Sequence, residues 1–253
     1  MRGIILAGGS GSRLAPITKI INKHLLPVFD RPMIYYPIQM LVATGITDIC
    51  IVTGGESSNG FLPLLQNGEE FGCNLTFRYQ QGSGGIAAAL KLTESFADGD
   101  KICVVLGDNI IEKDIISACH DFEYQNYGAK LMLKEVPDPQ RFGVAELSGN
   151  NPPIILGIEE KPVQPKSNYA VTGIYFYDET VFNKARTLVP SNRGEIEITD
   201  INKQYLSEGR LTYNFIDGWW SDAGTHTSLL KASLLCARKM GHMEQYQIHS
   251  VQV

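Results

Sequence analysis

The chain opens with Arg2-Gly3-Ile4-Ile5-Leu6-Ala7-Gly8-Gly9-Ser10-Gly11-Ser12-Arg13, the stretch that decides the fold class. Its apolar half, Gly3–Ala7, predicts a buried strand, and the glycines that follow predict a loop at the carboxyl end of that strand. Such a loop lets the backbone approach phosphate oxygens, and its successive N–H groups can bind an anion. The permanently charged Arg13 suits the same ligand. The stretch therefore predicts a phosphate site, and the alternative is a tight turn with a solvated arginine.

Two common glycine-loop patterns do not fit this stretch. Counted from Gly9, the dinucleotide pattern G-x-G-x-x-G requires a glycine where Leu14 stands. The P-loop pattern requires Gly-Lys followed by Ser or Thr, and no such tripeptide follows. Ten residues after Arg13, Lys23 supplies a second cation. The spacing argues against an NAD-dependent oxidoreductase and favours a phosphate site of another kind.

Strands and helices alternate along the first half of the chain, which is typical of a mostly parallel sheet. The predicted strands of this half are Gly3–Ala7, Ile49–Thr53, Leu75–Gln80 and Lys101–Leu106, and the predicted helices are Met33–Thr44 and Ile86–Phe96. After about residue 128, the predicted strands are Ala129–Val136, Phe142–Leu147, Ile154–Glu159, Tyr169–Tyr177 and Leu211–Phe215, and the predicted helices are Thr199–Gly209 and Thr227–Gly241. We expect an α/β fold with a mostly parallel, mixed central sheet, built as a single domain over residues 1–253.

Composition excludes several classes of protein. With 22 Lys and Arg against 27 Asp and Glu, the chain lacks the basic excess of a nucleic-acid-binding protein. No apolar stretch approaches the ~20 residues of a membrane span. The five cysteines are odd in number and never spaced as C-x-x-C, which favours free thiols in the cytoplasm over a disulfide framework or a zinc site. No G-x-S-x-G, H-E-x-x-H or H-R-D motif supports a hydrolase, a metalloprotease or a kinase.

Two aspartates are candidate metal ligands. Asp108 follows a predicted buried strand and precedes Asn109, which places its carboxylate at the sheet edge where ligands bind. Mg²⁺ takes one or two protein carboxylates together with substrate phosphates. Asp222, in the run Trp219-Trp220-Ser221-Asp222, is a candidate second ligand. The alternative for each is a turn or helix-capping aspartate.

Charged residues in the second half form two further candidates. In Glu159-Glu160-Lys161-Pro162, a carboxylate can accept two sugar hydroxyls while the lysine holds a phosphate, or the four residues form a solvated turn. Arg193 in Arg193-Gly194-Glu195 is a further phosphate-binding cation or part of a turn. Trp219 and Trp220 face opposite ways on a strand, so we expect one in the core and one available to a ligand ring.

Taken together, these segments resemble the sugar-nucleotide pyrophosphorylases, and most closely their short-form glucose-1-phosphate thymidylyltransferase branch. The opening loop and the Glu-Glu-Lys-Pro turn are shared across that family, whereas Ala170-Val171-Thr172-Gly173 and Arg193-Gly194-Glu195 are specific to the thymidylyl branch. The other segments that carry the resemblance are Lys23-His24-Leu25-Leu26-Pro27-Val28, Leu106-Gly107-Asp108-Asn109, Arg141-Phe142-Gly143-Val144 and Asp222-Ala223-Gly224-Thr225.

The resemblance implies a fold, a reaction and an assembly. The fold would be the Rossmann-like, three-layer nucleotidyltransferase fold, with a nucleotide-binding half over residues 1–128 and a sugar-phosphate-binding half over residues 129–240. With Mg²⁺ as cofactor, the phosphate of glucose 1-phosphate would attack the α-phosphorus of dTTP in line and release pyrophosphate. Such transfers depend on positioning and charge neutralisation. The family also implies a homo-oligomer, a dimer or a tetramer.

The same resemblance assigns roles to individual residues. Arg13 and Lys23 would be catalytic, at the phosphates. The residues implied in nucleotide binding are Gly8, Gly9, Gly11, Arg13, Gln80, Gly85 and Asp108. The residues implied in sugar-phosphate binding are Gly143, Glu160, Lys161, Val171 and Arg193. Asp108 and Asp222 would hold Mg²⁺.

The sequence departs from the family pattern around the nucleotide. Ala15 and Ala88 replace a usual Tyr and a common Gln, and residues 81–85 are glycine-rich where many members carry proline. Thymine and uracil therefore both stay open as the base. Longer relatives carry a helical C-terminal extension that contributes to a regulatory nucleotide site, and we expect the short form to lack it. The remaining alternatives are another pair of nucleotide and sugar 1-phosphate, or a non-catalytic nucleotide-sugar sensor on the same fold.

Overall fold

The first apolar run forms an interior strand of the sheet in the computed structural model, which describes residues 1–55, 58–82, 84–190 and 194–242. The strands are β1 (Arg2–Ala7), β2 (Pro27–Val28), β3 (Arg31–Pro32), β4 (Asp48–Gly54), β5 (Asn74–Gln80), β6 (Ile102–Leu106), β7 (Ile110–Ile111), β8 (Ala129–Glu135), β9 (Gly143–Leu147), β10 (Ile155–Glu160), β11 (Tyr169–Tyr177), β12 (Leu211–Phe215) and β13 (Trp220–Ser221). The helices are α1 (Tyr35–Ala43), α2 (Phe61–Leu65), α3 (Ile86–Lys91), α4 (Glu94–Ala97), α5 (Ile116–Tyr124), α6 (Val181–Thr187), α7 (Ile198–Ser207) and α8 (His226–Lys239).

Within the described residues, nine strands form one mixed sheet. β1 lies between β4 and β6 and is parallel to both, and β5 is parallel to β4. β11 runs antiparallel between β6 and β8, and β12 is parallel to β8. The β9–β10 hairpin pairs with the first half of β11 through Ala170 and Val171. The antiparallel strand β11 thereby joins the strands of the two halves of the chain.

Alternate residues of β1 face opposite helical layers. Ile4 and Leu6 pack into a cluster that includes buried residues of α3, α6 and α7. Ile5 and Ala7 pack into a second cluster with buried residues of α1, α2 and α5. Because both of their faces are covered, the interior parallel strands β1, β4 and β6 carry continuous apolar runs rather than an alternating pattern. The predicted α/β class with a mostly parallel, mixed sheet in three layers is confirmed.

The nine strands predicted from the sequence are all present among the described residues, with ends that differ by at most one residue. The helix predicted over Ile86–Phe96 is wrong as a single element, because it is divided into α3 and α4. Thr93 lies fully buried between the two helices, and its hydroxyl donates to the carbonyl oxygen of Leu90 at 2.7 Å. A side chain that hydrogen-bonds back to the preceding turn bends or ends a helix.

Three helices, α2, α5 and α6, and the short strand pairs β2–β3 and β7–β13 were not predicted from the sequence. The five cysteines are buried and free. Among the described residues, no helix combines the length and the apolar character needed to cross a membrane.

Gly128, which precedes β8, offers a test of this packing. Its φ is 103°, and a Cβ atom there would overlap the carbonyl oxygen of Arg210. We expect Gly128→Ala to lower the free energy of unfolding by about 3 kcal/mol, because backbone strain and overpacking each cost ~1–3 kcal/mol. Urea denaturation measures the loss.

Gly99→Ala is the matched control for Gly128→Ala. Gly99 also has a positive φ, 80°, but no atom lies within 4 Å of the position that its Cβ would take. Strain alone should therefore cost about 1 kcal/mol there. Equal losses for the two variants would contradict the steric argument.

Candidate active site

The glycine-rich loop after β1 folds back on the segment that carries Lys23. Gly9 and Gly11 adopt φ values of 97° and 61°. A Cβ on Gly11 would lie 2.9 Å from Thr18 Cγ2 and 3.3 Å from Lys23 Cβ, and the Thr18 hydroxyl donates to the Gly11 carbonyl oxygen at 2.8 Å. Glycine is therefore required here both by conformation and by close approach. Arg13 follows in a short 3₁₀ turn, Ser12–Leu14, with its side chain exposed.

Gln80 at the end of β5 joins this loop to the start of α3. Its Nε2 donates to the Gly85 carbonyl oxygen at 3.2 Å. Its Oε1 lies 3.2 Å from the position that a Cβ on Gly8 would take. The structure therefore brings together Gly8, Gln80 and Gly85, three of the residues that the resemblance assigns to the nucleotide.

Lys23 and Asp108 form an ion pair at the carboxyl ends of β1 and β6. The Lys23 Nζ to Asp108 Oδ2 distance is 2.6 Å, and both side chains are largely buried, 15% and 11% exposed respectively. Burial raises the pKa of the Asp108 carboxyl, but the Lys23 charge, with hydrogen bonds from Lys23 and Asn109, holds that pKa below its usual value. Asp108 is therefore ionised at neutral pH and available to a cation.

Asn109 fixes the backbone around Asp108. Its Oδ1 accepts hydrogen bonds from the Gly173 N–H at 2.9 Å and from Trp220 Nε1 at 2.7 Å. Its Nδ2 donates to Asp108 Oδ1 at 3.0 Å. Gly173 is sterically required, since a Cβ there would lie 2.5 Å from Asn109 Nδ2. One buried amide thus connects β11, the Trp220 strand and the carboxylate.

Asp222 reaches the same place from the second half of the chain. A Cβ built on Gly224, two residues later, would lie 3.1 Å from Arg13 Nη2 and 3.5 Å from Asp108 Oδ2. Burial and the neighbouring Asp108 charge raise the pKa of Asp222, while Arg141 and Arg13 lower it. The predicted pair of aspartates therefore lies close together, beside Arg13.

The predicted sugar-phosphate residues form a second group around Gly143. Its register partners are Glu160 on β10 and Val171 on β11. A Cβ on Gly143 would lie 3.4 Å from Glu160 Oε2, so glycine leaves this carboxylate accessible from β9. The Thr199 hydroxyl donates to Glu160 Oε2 at 2.5 Å, and Lys161 Nζ lies 3.4 Å from Glu160 Oε1.

Tyr175 lies where the two groups meet. Burial raises the pKa of its hydroxyl, and the charges of Glu160 and Asp108 raise it further. Arg193, the remaining predicted residue of the sugar side, lies outside the described residues. Trp220 contacts Asn109 and Phe142, while Trp219 packs against the cluster that includes residues of α8.

Several residues of the site had no predicted role. Arg141 binds Asp222, Thr199 binds Glu160, and His24 packs against Gly107. Only the Asp138–Arg141 spacing of three residues, an ion pair in the structure, was available in the sequence as a signal. The other contacts join residues far apart in the chain.

The sequence matches the model of a known protein family. The family model for nucleotidyl transferases matches residues 2–239. The chain belongs to the nucleotidyltransferase family.

Named relatives indicate the branch of the family to which this nucleotidyltransferase is similar. It is 44% identical to the glucose-1-phosphate thymidylyltransferase of Neisseria meningitidis over 92% of this chain and 81% of that protein. It is 43% identical to the Mycobacterium tuberculosis enzyme of the same name, over the same shares. The resemblance to the thymidylyl branch, stated from the sequence, is confirmed.

Solved structures agree with this placement. A Bacillus anthracis crystal structure, provisionally named a glucose-1-phosphate thymidylyltransferase and complexed with a sucrose, has 54% identity and a TM-score of 0.88. The match covers 93% of this chain and 94% of that one. A UDP-glucose pyrophosphorylase complexed with UDP-glucose, at 24% identity and a TM-score of 0.81 over 94% and 98% of the two chains, shares the fold.

The nucleotidyltransferase family generally uses a divalent metal ion, and the donor set here fits one. Two carboxylates from different segments converge, and the charge of Asp108 raises the cost of charging Asp222, a cost that a cation between them would reduce. Hard cations such as Mg²⁺ prefer oxygen ligands and take one or two carboxylates beside substrate phosphates. No cluster of three or more acidic, histidine or cysteine side chains occurs in the described part of the chain, so substrate oxygens would supply the remaining ligands.

The nucleotidyltransferase site also contains a buried histidine that stays neutral. His24 Nδ1 donates to Asn22 Oδ1 at 2.8 Å, and the ring is 1% exposed. Burial, followed by the neighbouring Lys23 charge, lowers the pKa of His24 from 6.5 to about 3. A neutral ring adds no positive charge beside Lys23, so the ion pair with Asp108 stays balanced.

This neutral histidine gives a pH prediction. Between pH 6.5 and about 3, the unfolded chain binds a proton on His24 that the folded chain does not bind. Stability therefore falls as the pH is lowered, by up to about 1.4 kcal/mol per pH unit. We expect His24→Gln to remove about 2 kcal/mol of the stability lost between pH 7.5 and 5.0, as measured by urea denaturation.

The exposed His120 is the control for the loss of a histidine as such. His120→Gln should leave the difference between the two pH values as it is in the unsubstituted protein. A His24→Gln variant with an unchanged difference would show that the ring is not held neutral by burial.

Proposed function

We propose that this nucleotidyltransferase condenses dTTP with α-D-glucose 1-phosphate to give dTDP-glucose and pyrophosphate. The observation that carries the proposal is that Asp108, Asp222, Arg13 and Lys23 lie together between the glycine loop and the residues around Gly143. A phosphate oxygen of the sugar phosphate would form the new bond to the α-phosphorus. The bond from that phosphorus to the bridging oxygen of pyrophosphate would break.

On the nucleotide side, we assign the triphosphate to the glycine loop. The backbone at Gly9 and Gly11 has no side chains to block phosphate oxygens. Arg13 and Lys23 would neutralise the charge that shifts toward the leaving pyrophosphate, because preorganised cations stabilise such charge at no cost of rearrangement. Gly8, Gln80 and Gly85 would contact the base and its sugar.

On the sugar side, we assign the hexose to the pocket around Gly143. Glu160 would accept hydrogen bonds from two sugar hydroxyls, and its bond from Thr199 holds the carboxylate in place. The backbone of Gly143 and Val171 would contact further hydroxyls. Lys161 and Arg193 would bind the phosphate, so that its attacking oxygen faces the α-phosphorus.

We propose Mg²⁺ as the metal, held by Asp108 and Asp222. When bound, the ion supplies Lewis-acid neutralisation of phosphate charge. Asp108 contributes a carboxylate that Lys23 and Asn109 hold in a single orientation. Asp222 brings the second carboxylate from the sugar side, which couples binding of the two substrates.

Two alternative functions are a reaction with another nucleotide substrate and a non-catalytic nucleotide-sugar sensor. Ala88 on α3 approaches Gly84 with a methyl group where the family commonly carries Gln, so uridine nucleotides stay open as a second candidate substrate. A non-catalytic sensor would be expected to lack part of the catalytic set. Arg13, Lys23, Asp108 and Asp222 are all present, which supports an enzyme.

We further propose one domain over residues 1–253, with a nucleotide-binding half (1–128) and a sugar-phosphate-binding half (129–240). The pairing of β11 with β6 supports this, because it extends one sheet across both halves. A homo-oligomer is proposed from the family resemblance alone. The buried free cysteines support a reducing, cytoplasmic location.

A pyrophosphate-release panel tests the reaction. With Mg²⁺ present, we expect dTTP and glucose 1-phosphate to turn over fastest among pairs of nucleoside triphosphates and sugar 1-phosphates. Asp108→Asn should lower turnover by at least about a hundredfold, because it removes a charged metal ligand. Thermal denaturation would show whether the variant still folds.

The same panel contains the contradicting outcomes. Absence of turnover for every pair would refute the enzyme and leave the sensor. Faster turnover with UTP would reassign the nucleotide, and near-normal rates for a folded Asp108→Asn variant would refute the metal assignment.

Lys161→Ala separates the two substrate sites. Loss of a charged partner for the sugar phosphate should raise the Kd for glucose 1-phosphate at least about tenfold. The Kd for dTTP should stay within about twofold, because Lys161 lies with the Gly143 group. Isothermal titration calorimetry measures both constants.

Lys166→Ala is the matched control, since Lys166 is exposed and pairs with Glu146 outside the proposed site. Its Kd values should equal those of the unsubstituted protein. Weakened dTTP binding with intact sugar-phosphate binding in Lys161→Ala would refute the placement of Lys161.

A further inference from the structure

Arg141 lies between the two halves of the site, and the proposed reaction gives it no role. Its Nη2 lies 3.1 Å from Asp222 Oδ2 and 3.4 Å from Asp222 Oδ1. Its Nη1 donates to Asp138 Oδ2 at 2.8 Å. The guanidinium also lies over the Phe142 ring, 5.0 Å from its centroid. These contacts hold the Arg141 guanidinium against Asp222, the carboxylate that we assign to the metal.

The charges around Asp222 make this contact consequential. A Cβ atom on Gly224, two residues after Asp222, would lie 3.5 Å from Asp108 Oδ2, so the segment that carries Asp222 lies against Asp108. Two carboxylates this close repel each other, and a positive group beside them reduces that repulsion. Arg141 performs this neutralisation at Asp222, and Lys23 performs it at Asp108. A divalent cation bound by both carboxylates would perform it again.

The two ion pairs differ in their environment. The Lys23 pair is largely buried on both sides, whereas in the Arg141–Asp222 pair the arginine is 37% exposed and the aspartate 17%. An ion pair with an exposed partner contributes less net stability, because water solvates that partner when the pair separates. Asp138 and the Phe142 ring can hold the arginine when Asp222 releases it. Arg141 is therefore the cation that can leave its aspartate at low cost.

We propose that Arg141 is a positioning residue that competes with the divalent metal ion for Asp222. In the absence of metal, it pairs with the Asp222 carboxylate. When a divalent cation binds, Arg141 gives up Asp222 and retains Asp138. The affinity of the site for metal is accordingly lower than two facing carboxylates alone would produce. This inference rests on the proposed metal site of Asp108 and Asp222.

Direct metal binding tests the proposal without turnover. Mn²⁺ is titrated into the full-length protein without substrates at pH 7.5, and free Mn²⁺ is measured by electron paramagnetic resonance. Arg141→Met removes the charge and keeps an apolar side chain for the Phe142 ring. We expect its Kd for Mn²⁺ to fall about fivefold, because a competing and repelling charge is gone. Arg141→Lys keeps the charge and should stay within about twofold of the unsubstituted protein.

Two control variants test whether the change in Mn²⁺ binding is specific to Arg141 and whether Asp222 binds the metal. Arg186→Gln removes an arginine that pairs with Glu94 on the surface, both half-exposed, and should leave Mn²⁺ binding unchanged. Asp222→Asn should weaken Mn²⁺ binding. If Asp222→Asn binds Mn²⁺ as the unsubstituted protein does, the proposed metal site itself is refuted.

Other outcomes overturn only the role of Arg141. Weaker or unchanged Mn²⁺ binding by a folded Arg141→Met variant, together with a loss in Asp222→Asn, would show that the arginine organises Asp222 without competing for it. Equal tightening in Arg141→Lys would show that charge is not the cause. Should Arg141→Met fail to fold by thermal denaturation, Arg141→Gln carries the same expectation and the same contradiction.

Discussion

The 2.6 Å ion pair between Lys23 and Asp108 is the interaction on which the rest of the site depends. It joins the segment after the glycine loop to the end of β6, where His24 also packs against Gly107. A largely buried carboxylate needs a partner to stay charged. Lys23 provides that partner and brings a cation to the same edge where Gly9 and Gly11 expose the backbone. Ionisation of Asp108 and the geometry of the phosphate loop are therefore parts of one arrangement.

Asn109 extends this arrangement across the molecule. Its single carbonyl oxygen accepts from Gly173 on β11 and from the Trp220 indole, and its amide donates to Asp108. Each partner comes from a different segment of the chain. A change in the position of β11 or of the Trp220 strand would therefore move the Asp108 carboxylate. The two halves of the chain are positioned relative to one side chain, that of Asn109. The antiparallel insertion of β11 beside β6 makes this possible.

The cationic side chains of the site differ in how deeply they are buried, and this difference affects how easily each can change partners. Lys23 is enclosed with its aspartate, while Arg13 and Arg141 reach the site from exposed positions. Buried pairs are costly to break and suit a fixed scaffold, whereas exposed guanidinium groups can exchange partners at little cost. In the proposed reaction, the fixed pair would define where phosphates bind, and the exposed arginines would be free to change partners as substrates and metal bind.

Local patterns in the sequence determined the strands, the fold class and most of the candidate residues. Apolar runs such as Gly3–Ala7 predict strands because burial on both faces requires them, and the glycines after β1 predict a close approach because no other residue permits it. Only the tertiary structure decided which charges meet. The contacts of Arg141 with Asp222, Thr199 with Glu160 and Trp220 with Asn109 join residues 39 to 111 positions apart. No local spacing encodes such pairs, because they follow from the register and order of strands in the assembled sheet.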